Sequence, residues 1–163
     1  ELNRVKCVSG LLPPWLGTIP AARAVRLVRE HLLNPAEFWL PYPVDTWAKN
    51  EQGYYQERRG GECTWMGATW IPTNYMVLHG LMLHGYRAEA EALAEKTFDM
   101  VLREATTREY YNGETGVGQG MCPFWGWSAL GYVMAAEART GYDPADPLRR
   151  TFETLEMPGL EIL

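Results

Sequence analysis

The 163-residue sequence lacks any long apolar run. A membrane-spanning helix needs roughly 18 consecutive apolar residues, and His79 and Gly80 interrupt the most apolar stretch, residues 75–83. The first residues show no basic region followed by an apolar one, so the pattern of a secretory signal is missing. For this stretch of chain, the sequence therefore predicts neither a membrane-spanning segment nor a signal peptide.

Cysteine and clustered basic charge are also scarce. The three cysteines, Cys7, Cys63 and Cys122, lie far apart and match neither a zinc-ligand spacing nor a disulfide framework. They fit a reducing compartment, which predicts a cytoplasmic location. Fifteen basic residues against 20 acidic ones give a net charge of −5, and the basic residues are scattered. Because no basic stripe is available for a phosphate backbone, nucleic acid is excluded as a partner.

Patterns for bound metals and nucleotides are missing as well. His79 and His84 are five residues apart, so they do not share a helix face as an i, i+4 metal pair would. The glycine-rich run of residues 116–120 lacks the G-x-G-x-x-G pattern of a dinucleotide loop. The sequence therefore predicts no metal site and no cofactor.

Helical periodicity is present in four segments. Thr18 is the predicted N-cap of a first helix that Pro20 opens and Asn34-Pro35 ends. The buried stripe of this helix is predicted to consist of Val25, Val28 and Leu32. A second helix, Pro72 to Gly85, is apolar on every side, which is typical of a helix buried all round.

The other two helices differ in character. The segment from Ala88 to Ala105 is amphipathic, and a last, largely apolar helix is predicted from Phe124 to Thr140, ended by Gly141. Residues 151–163 are predicted to form a tail of short extended pieces. The stripe of the amphipathic helix is predicted to contain Ala90, Ala94, Phe98, Val101, Leu102 and Ala105.

Buried and amphipathic helices therefore alternate along the chain. A four-helix bundle would contain only amphipathic members, whereas inner and outer helices in pairs are typical of a helical toroid or solenoid. We predict one all-α segment, residues 1–163, with helix pairs and long loops between them.

Two long stretches, residues 41–71 and 106–123, have no helical period. Loops of this length are uncommon in compact domains unless they are functional. Their aromatic side chains lie beside carboxylates and amides, which suits sugar binding, because sugar C–H faces stack on indoles. The same aromatic residues could instead form the core of a loop-rich domain. They lie within the two stretches or close to their ends: Trp39, Trp47, Tyr54, Tyr55, Trp65, Trp70, Tyr110, Tyr111, Trp125 and Trp127.

Two carboxylates of the second stretch are candidates for chemistry. Glu109 follows the amphipathic helix and is either a general base for water or a solvated charge at the helix end. Glu114, within Asn-Gly-Glu-Thr-Gly, is predicted to lie at the tip of a turn.

Three strings are more specific: WMGATWIPTNY at residues 65–75, EYYNGETGVGQG at residues 109–120 and PFWGWS at residues 123–128. In this order and spacing they resemble the C-terminal part of glycoside hydrolase family 63, and most closely its glucosylglycerate and mannosylglycerate hydrolases. The segment NPAEFW at residues 34–39 is also similar. The resemblance implies part of an (α/α)6 toroid and an enzyme that inverts the anomeric configuration. Small α-glucosides or α-mannosides, such as glucosylglycerate or mannosylglycerate, are its implied substrates.

The resemblance also assigns roles to residues. Glu109 corresponds to the family's general base, Trp65 and Trp70 correspond to its W-x-G-x-x-W motif that lines the sugar site, and Gln119 corresponds to a substrate-contacting glutamine. One departure is TWMGA at residues 64–68, where the family often has Tyr-Trp-Arg-Gly-Pro.

A second departure concerns the general acid. Inversion needs two carboxylates about 6.5–9.5 Å apart, and the family's acid lies in an earlier helix pair. Asp45 is the only loop aspartate before Glu109, and it does not match the acid's motif. We therefore expect the C-terminal half of a toroidal catalytic domain that does not turn over substrate alone. The alternative is a non-catalytic carbohydrate-binding or structural α-helical domain.

The half-ring interpretation predicts association. In half a toroid, the all-apolar helix Pro72 to Gly85 would leave part of its surface without a partner. The expected partners are a missing N-terminal half or a second copy of the chain.

Overall fold

The computed structural model describes residues 4–57, 63 and 65–146. The predicted extended tail, residues 151–163, lies outside the described residues. Within the described part, no helix is both long and apolar enough to cross a membrane. The helices are two short turns, Val8–Leu11 and Pro13–Leu16, then α1 (Ala21–Arg26), α2 (Ile71–Leu83), α3 (Arg87–Leu102) and α4 (Leu130–Thr140). The strands are β1 (Tyr110–Tyr111) and β2 (Gly118–Gln119).

α1 continues into a wider π-helical segment, Leu27–Leu32. Its N-cap is Pro20 and no side chain caps it, so the prediction that Thr18 is the cap is wrong. Leu33 donates its backbone N–H to Val28 O at 2.9 Å, an i to i+5 bond that widens the last turn. The buried stripe therefore follows a spacing of four residues, and the predicted Val25 is exposed. The stripe consists of Ala24, Val28 and Leu32.

α2 is the central helix, and none of its side chains is exposed. It packs against the turn Pro13–Leu16 and against α3 and α4. A Cβ on Gly80 would lie 3.1 Å from Pro14 Cβ, so a glycine permits this close approach. The prediction of a helix buried all round is confirmed. The prediction that α2 leaves an exposed patch is wrong, because these neighbours cover it. The exposed large apolar side chains near the ends of α3 and α4 are Leu102, Phe124, Tyr132 and Val133.

α3 is amphipathic, as predicted, and packs on both α2 and α4. The helix ends at Leu102, which is 55% exposed, and Ala105 lies beyond the end. The prediction that Leu102 and Ala105 belong to the buried stripe is therefore wrong. Phe98 is half-buried at the edge of the stripe. The buried residues of α3 are Ala90, Leu93, Ala94, Thr97, Met100 and Val101.

α4 begins later than periodicity suggests. Phe124, the predicted first residue, has φ of +48°, which a right-handed helix cannot contain, and a short 3-10 turn, Gly126–Ala129, precedes α4. Its end agrees with the prediction, because Gly141 adopts φ of +66° directly after Thr140. The His79 ring of α2 lies 2.7 Å from a Glu137 carboxylate oxygen and joins α2 to α4.

The two long loops meet in a small extended patch. Asp45 pairs with Thr69, Thr69 pairs with Tyr111, and β1 pairs antiparallel with β2. The all-α prediction is thus corrected to a mostly helical chain with one two-stranded sheet in the second loop. The short span of each pairing explains why period-2 alternation is not visible in the sequence.

Candidate functional site

A stack of aromatic rings forms one wall of the site. The Trp65 and Trp70 ring centroids are 3.9 Å apart with planes at 14°, and Trp70 stacks on Tyr110 at 4.9 Å. Trp127 lies 5.7 Å from Trp70 at a tilted angle. Trp65 is 48% exposed whereas Trp70 is only 2% exposed. The outer member of the stack is therefore Trp65, and Trp70 is its buried support.

The turn that carries Trp65 depends on a close backbone approach. A Cβ on Gly67 would lie 2.0 Å from the Tyr55 carbonyl oxygen, so only glycine fits. Tyr55 N–H donates to Met66 O at 2.9 Å across the same contact. Three residues later Trp70 becomes the N-cap of α2, where its carbonyl accepts a 2.7 Å bond from the Thr73 hydroxyl. The W-x-G-x-x-W spacing thus places both indoles where the loop enters the helix.

Glu109 lies directly before β1 and is 8% exposed. Its backbone carbonyl accepts a 2.8 Å bond from the Trp127 indole N–H. Its carboxylate Oε2 accepts the Met121 backbone N–H at 2.9 Å, and Oε1 lies 3.8 Å from the Cys63 thiol. The carboxylate is therefore held at one oxygen by the chain that follows β2. Of the two roles predicted for Glu109, the solvated helix-end charge is wrong, because the side chain is buried.

Gly120 provides the space for this carboxylate. Its φ is +75°, and a Cβ there would lie 2.5 Å from Glu109 Oε2 and 2.7 Å from a Tyr110 ring carbon. Any other residue would therefore be strained and would push against the carboxylate.

Gln119 lies beside this position on β2, paired with Tyr110 of β1. Its amide Nε2 donates to the Gln56 carbonyl oxygen at 3.1 Å. Because Tyr110 also stacks on Trp70 and follows Glu109 in the chain, the fold brings the four residues singled out from sequence into one neighbourhood. These residues are Trp65, Trp70, Glu109 and Gln119.

Glu104 is a supporting residue that sequence reasoning missed. Its Oε1 accepts the Gly118 N–H at 2.8 Å, and its Oε2 lies 3.2 Å from Arg108 Nε. It thereby connects the end of α3 to β2. Because Glu104 and Arg108 lie beyond the end of α3, the i, i+4 rule for helices does not apply to them, and no local sequence signal indicates the pair.

Asp45 is a second residue without a predicted role, and it is fully buried. Oδ1 lies 2.8 Å from the Thr69 hydroxyl, and Oδ2 accepts a 3.0 Å bond from the Tyr54 hydroxyl and a bond from the Gln56 amide. Burial raises the pKa of Asp45 to about 8, although these hydrogen bonds oppose the shift, and nearby Glu114 adds to it.

Glu114 lies at the tip of a turn and is exposed, as predicted. Its carboxylate is 2.8 Å from Lys49 Nζ. The Asn112 side-chain oxygen accepts the backbone N–H groups of Glu114 and Thr115 at 2.9 and 3.0 Å, which shapes the turn.

No group of three or more His, Cys, Asp and Glu residues suited to a metal ion occurs within residues 4–57, 63 and 65–146. His79 and His84, both on or next to α2, do not converge on one site: the ring of His79 is bound to Glu137.

A stacked tryptophan pair and a buried carboxylate in one neighbourhood are suited to carbohydrates, and the comparisons with known proteins agree with this. The model of the mannosylglycerate hydrolase MGH1-like glycoside hydrolase domain matches residues 2–128. The chain belongs to this family, within glycoside hydrolase family 63.

Individual relatives are similar over most of this chain. A mannosylglycerate hydrolase of Rubrobacter radiotolerans is 29% identical over 117 residues, 69% of this chain and 25% of the relative. Alpha-glucosidase 2 of Arabidopsis thaliana is 26% identical over 61% of this chain and 14% of its own length. The chain thus spans about a quarter or less of these two relatives.

The structural comparison gives the same family. The crystal structure of the GH63 mannosylglycerate hydrolase from Thermus thermophilus in complex with glucose has a TM-score of 0.69 and 29% identity, over 82% of this chain and 31% of that one. A second structure of that enzyme, with Tris and D-glycerate, has the same TM-score and identity. The mostly helical chain is therefore consistent with a portion of a GH63 helical toroid.

Proposed function

We propose that this chain supplies the general base and part of the sugar site of an inverting α-glycosidase. The substrate class is a small α-glucoside or α-mannoside such as glucosylglycerate or mannosylglycerate. The observation that carries the proposal is the buried carboxylate of Glu109, held at Oε2 by the Met121 N–H, in the same segment as Tyr110, whose ring stacks on Trp70 beneath Trp65. Family membership and the mannosylglycerate hydrolase relatives support the substrate class.

Glu109 is the proposed general base. An inverting enzyme removes a proton from the water that attacks the anomeric carbon, and the base must hold that water in place. The Met121 N–H fixes Oε2 at 2.9 Å, and Oε1, which lies 3.8 Å from the Cys63 thiol, is the oxygen proposed to receive the proton. The Trp127 indole N–H binds the backbone carbonyl of Glu109, and Gly120, which has no side chain, leaves space for the Glu109 carboxylate.

Trp65 is the proposed sugar platform. Its indole is half exposed at the outside of the stack, and C–H groups of a pyranose pack favourably on such a face. Trp70 then acts on the sugar through Trp65, whose ring it supports at 3.9 Å. Gln119, next to the base, is the proposed hydrogen-bonding contact to the substrate.

The second carboxylate of the mechanism is proposed to lie outside the described residues. Asp45 does not suit the role, because it is fully buried and its oxygens contact Thr69, Tyr54 and Gln56. Activity is therefore assayed in the intact protein that contains the residues completing the toroid.

The test is Glu109→Gln in the intact protein, with mannosylglycerate and glucosylglycerate as substrates. The change keeps the shape and removes the basicity, so we expect kcat to fall by about 10²–10⁴ with little change in KM. Glu91→Gln is the control, since it removes an exposed carboxylate of α3, away from the two loops, and it should retain kcat.

A further measurement separates the base from a structural glutamate. Azide should restore part of the rate of Glu109→Ala and form a glycosyl azide of inverted configuration. Near-normal kcat in Glu109→Gln would overturn the assignment. Sugar binding that depends on Trp65, without hydrolysis by the intact protein, would instead favour the non-catalytic carbohydrate-binding domain.

A further inference from the structure

Asp45 lies beneath the site, on the opposite side of the extended patch from the aromatic stack. Successive side chains of an extended chain point to opposite faces. Ala68, Trp70 and Tyr110 form one buried cluster, whereas Thr69, between Ala68 and Trp70, turns its hydroxyl to Asp45. The carboxyl group of Asp45 therefore reaches the site only through the residues that it contacts.

The protons around this carboxyl group can be counted. Thr69 Oγ1 lies 2.8 Å from the Tyr42 carbonyl oxygen and 2.8 Å from Asp45 Oδ1. A hydroxyl group has one proton, and a carbonyl oxygen only accepts. When Thr69 donates to Tyr42, the proton between Thr69 and Asp45 has to come from the carboxyl group. The neutral acid satisfies both contacts, whereas the ionised form leaves one without a proton.

The charges around Asp45 agree with the neutral form. The Tyr54 hydroxyl lies 3.0 Å from Asp45 Oδ2 and also 3.4 Å from Glu114 Oε1, so a second carboxylate is close to Asp45. The positive charge of Lys49 pairs with Glu114 at 2.8 Å. Burial and the charge of Glu114 raise the pKa of Asp45 to about 8, in the same direction as the proton count.

Gln56 connects Asp45 to the site by hydrogen bonds. Its amide donates to Asp45 Oδ2 and to the Gly67 carbonyl at 3.1 Å, within the turn that follows Trp65. Its side-chain oxygen accepts the Gly113 N–H at 2.8 Å, and its backbone carbonyl accepts Gln119 Nε2 at 3.1 Å. One glutamine therefore contacts both the tryptophan turn and the proposed substrate-binding Gln119.

We propose that Asp45, as a neutral carboxylic acid, is a positioning residue that holds Gln56 and, through it, Gln119 and the Trp65 turn. Its effect on catalysis rests on the proposed function, while its protonation state does not. Ionisation of Asp45 breaks the proton chain to Thr69 and Tyr42 and places a buried charge under the site. A rise in pH that ionises Asp45 therefore weakens the contacts that position Gln56, Gln119 and the Trp65 turn.

The protonation state is tested by stability. The folded pKa of about 8 lies above the ordinary value of 3.8, so stability contributed by the neutral form is complete below about pH 4 and is lost as pH rises to about 8. Asn at position 45 is uncharged and of similar shape. We expect the melting temperature of Asp45→Asn, relative to wild type, to increase steadily between these pH values and then to level off.

Asp143→Asn is the control for loss of one partly exposed carboxylate, and the change at Asp45 should exceed it. Should Asp45→Asn fail to fold, carboxyl NMR of the unaltered protein gives the same answer. Of the four aspartates, one should titrate near pH 8. Parallel melting profiles, or four aspartates that all titrate near their ordinary value, would overturn the proposal.

The positioning role is tested by activity in the intact protein. Wild-type kcat/KM should fall about tenfold from pH 7 to pH 9, mainly through KM, whereas Asp45→Asn should keep its value. An identical fall in kcat/KM between pH 7 and pH 9 in both proteins would show that Asp45 does not position the site. No hydrolysis by wild type at any pH would contradict the proposed function instead, and the stability measurement would still decide the state of Asp45.

Discussion

α2 packs against α3 and α4 mainly through apolar side chains, whereas the loop of residues 41–57 is anchored to its neighbours mainly by buried hydrogen bonds. Leu78, Leu81 and Leu93 are typical of the first region. In the second, Thr46 hydrogen-bonds the Ala68 carbonyl with its hydroxyl at 3.1 Å. Burial of apolar surface is non-directional, whereas a hydrogen bond weakens steeply when its geometry departs from the ideal. The loop of residues 41–57, which lies under the proposed site, is therefore the region whose side-chain positions are fixed by directional bonds.

The two tryptophans of the stack provide the largest contrast. Trp70→Ala removes a fully buried ring between the loop and α2, so it should lower the free energy of unfolding by about 3–5 kcal/mol. Trp65→Ala removes the half-exposed ring, so it should weaken substrate binding by about 1–3 kcal/mol while the fold survives. Thermal melting and substrate affinity of both variants measure the two effects.

The pair also serves as its own control, since both changes remove one indole. Equal losses of stability would mean that Trp65 is a packing residue. Unchanged affinity in Trp65→Ala would contradict the proposed platform.

Asn74 connects the two regions and provides the next contrast. It lies on α2, fully buried, and its side chain accepts the Val44 N–H at 2.9 Å and donates to Pro43 O at 2.8 Å. Asn74→Ala leaves both backbone groups buried without partners, so we expect a loss of about 2–4 kcal/mol in the free energy of unfolding. Chemical denaturation measures it.

The control for Asn74 is Asn50→Ala, because Asn50 is exposed and bonds Lys6. It should change stability by less than about 0.5 kcal/mol. A similar result for both variants would show that the loop does not depend on buried hydrogen bonds.

Gly120 gives the smallest expected change in stability. In Gly120→Ala, the positive φ and the contact with Glu109 should cost about 1–3 kcal/mol. The displaced carboxylate should lower kcat of the intact protein by more than the loss of folded protein explains. Gly10→Ala is the control, because a Cβ there has nothing within 4 Å. Unchanged kcat in Gly120→Ala would mean that the carboxylate does not need this space.

Where local pattern decides structure, sequence was sufficient. The residues of α2 are apolar on every side and the helix is buried all round, and Gly141 ends α4, because periodicity and terminator residues act within one or two turns. The motifs also selected Trp65, Trp70, Glu109 and Gln119, which the fold brings together. The start of α4 and the short pairing of β1 with β2 escaped prediction, since the pattern there spans too few residues.

The exposure of each indole, the contact between Asp45 and Thr69 and the contacts of Gln56 were decided by tertiary structure. Asp45 and Thr69 are 24 residues apart, and Gln56 and Gln119 are 63 apart. The sequence pattern indicates that these aspartate and glutamine residues lie in loops. It does not indicate which residues, so far away in the sequence, they contact. Burial raises the pKa of an aspartate only when the chain has closed around it, and that closure depends on packing between segments that share no local pattern.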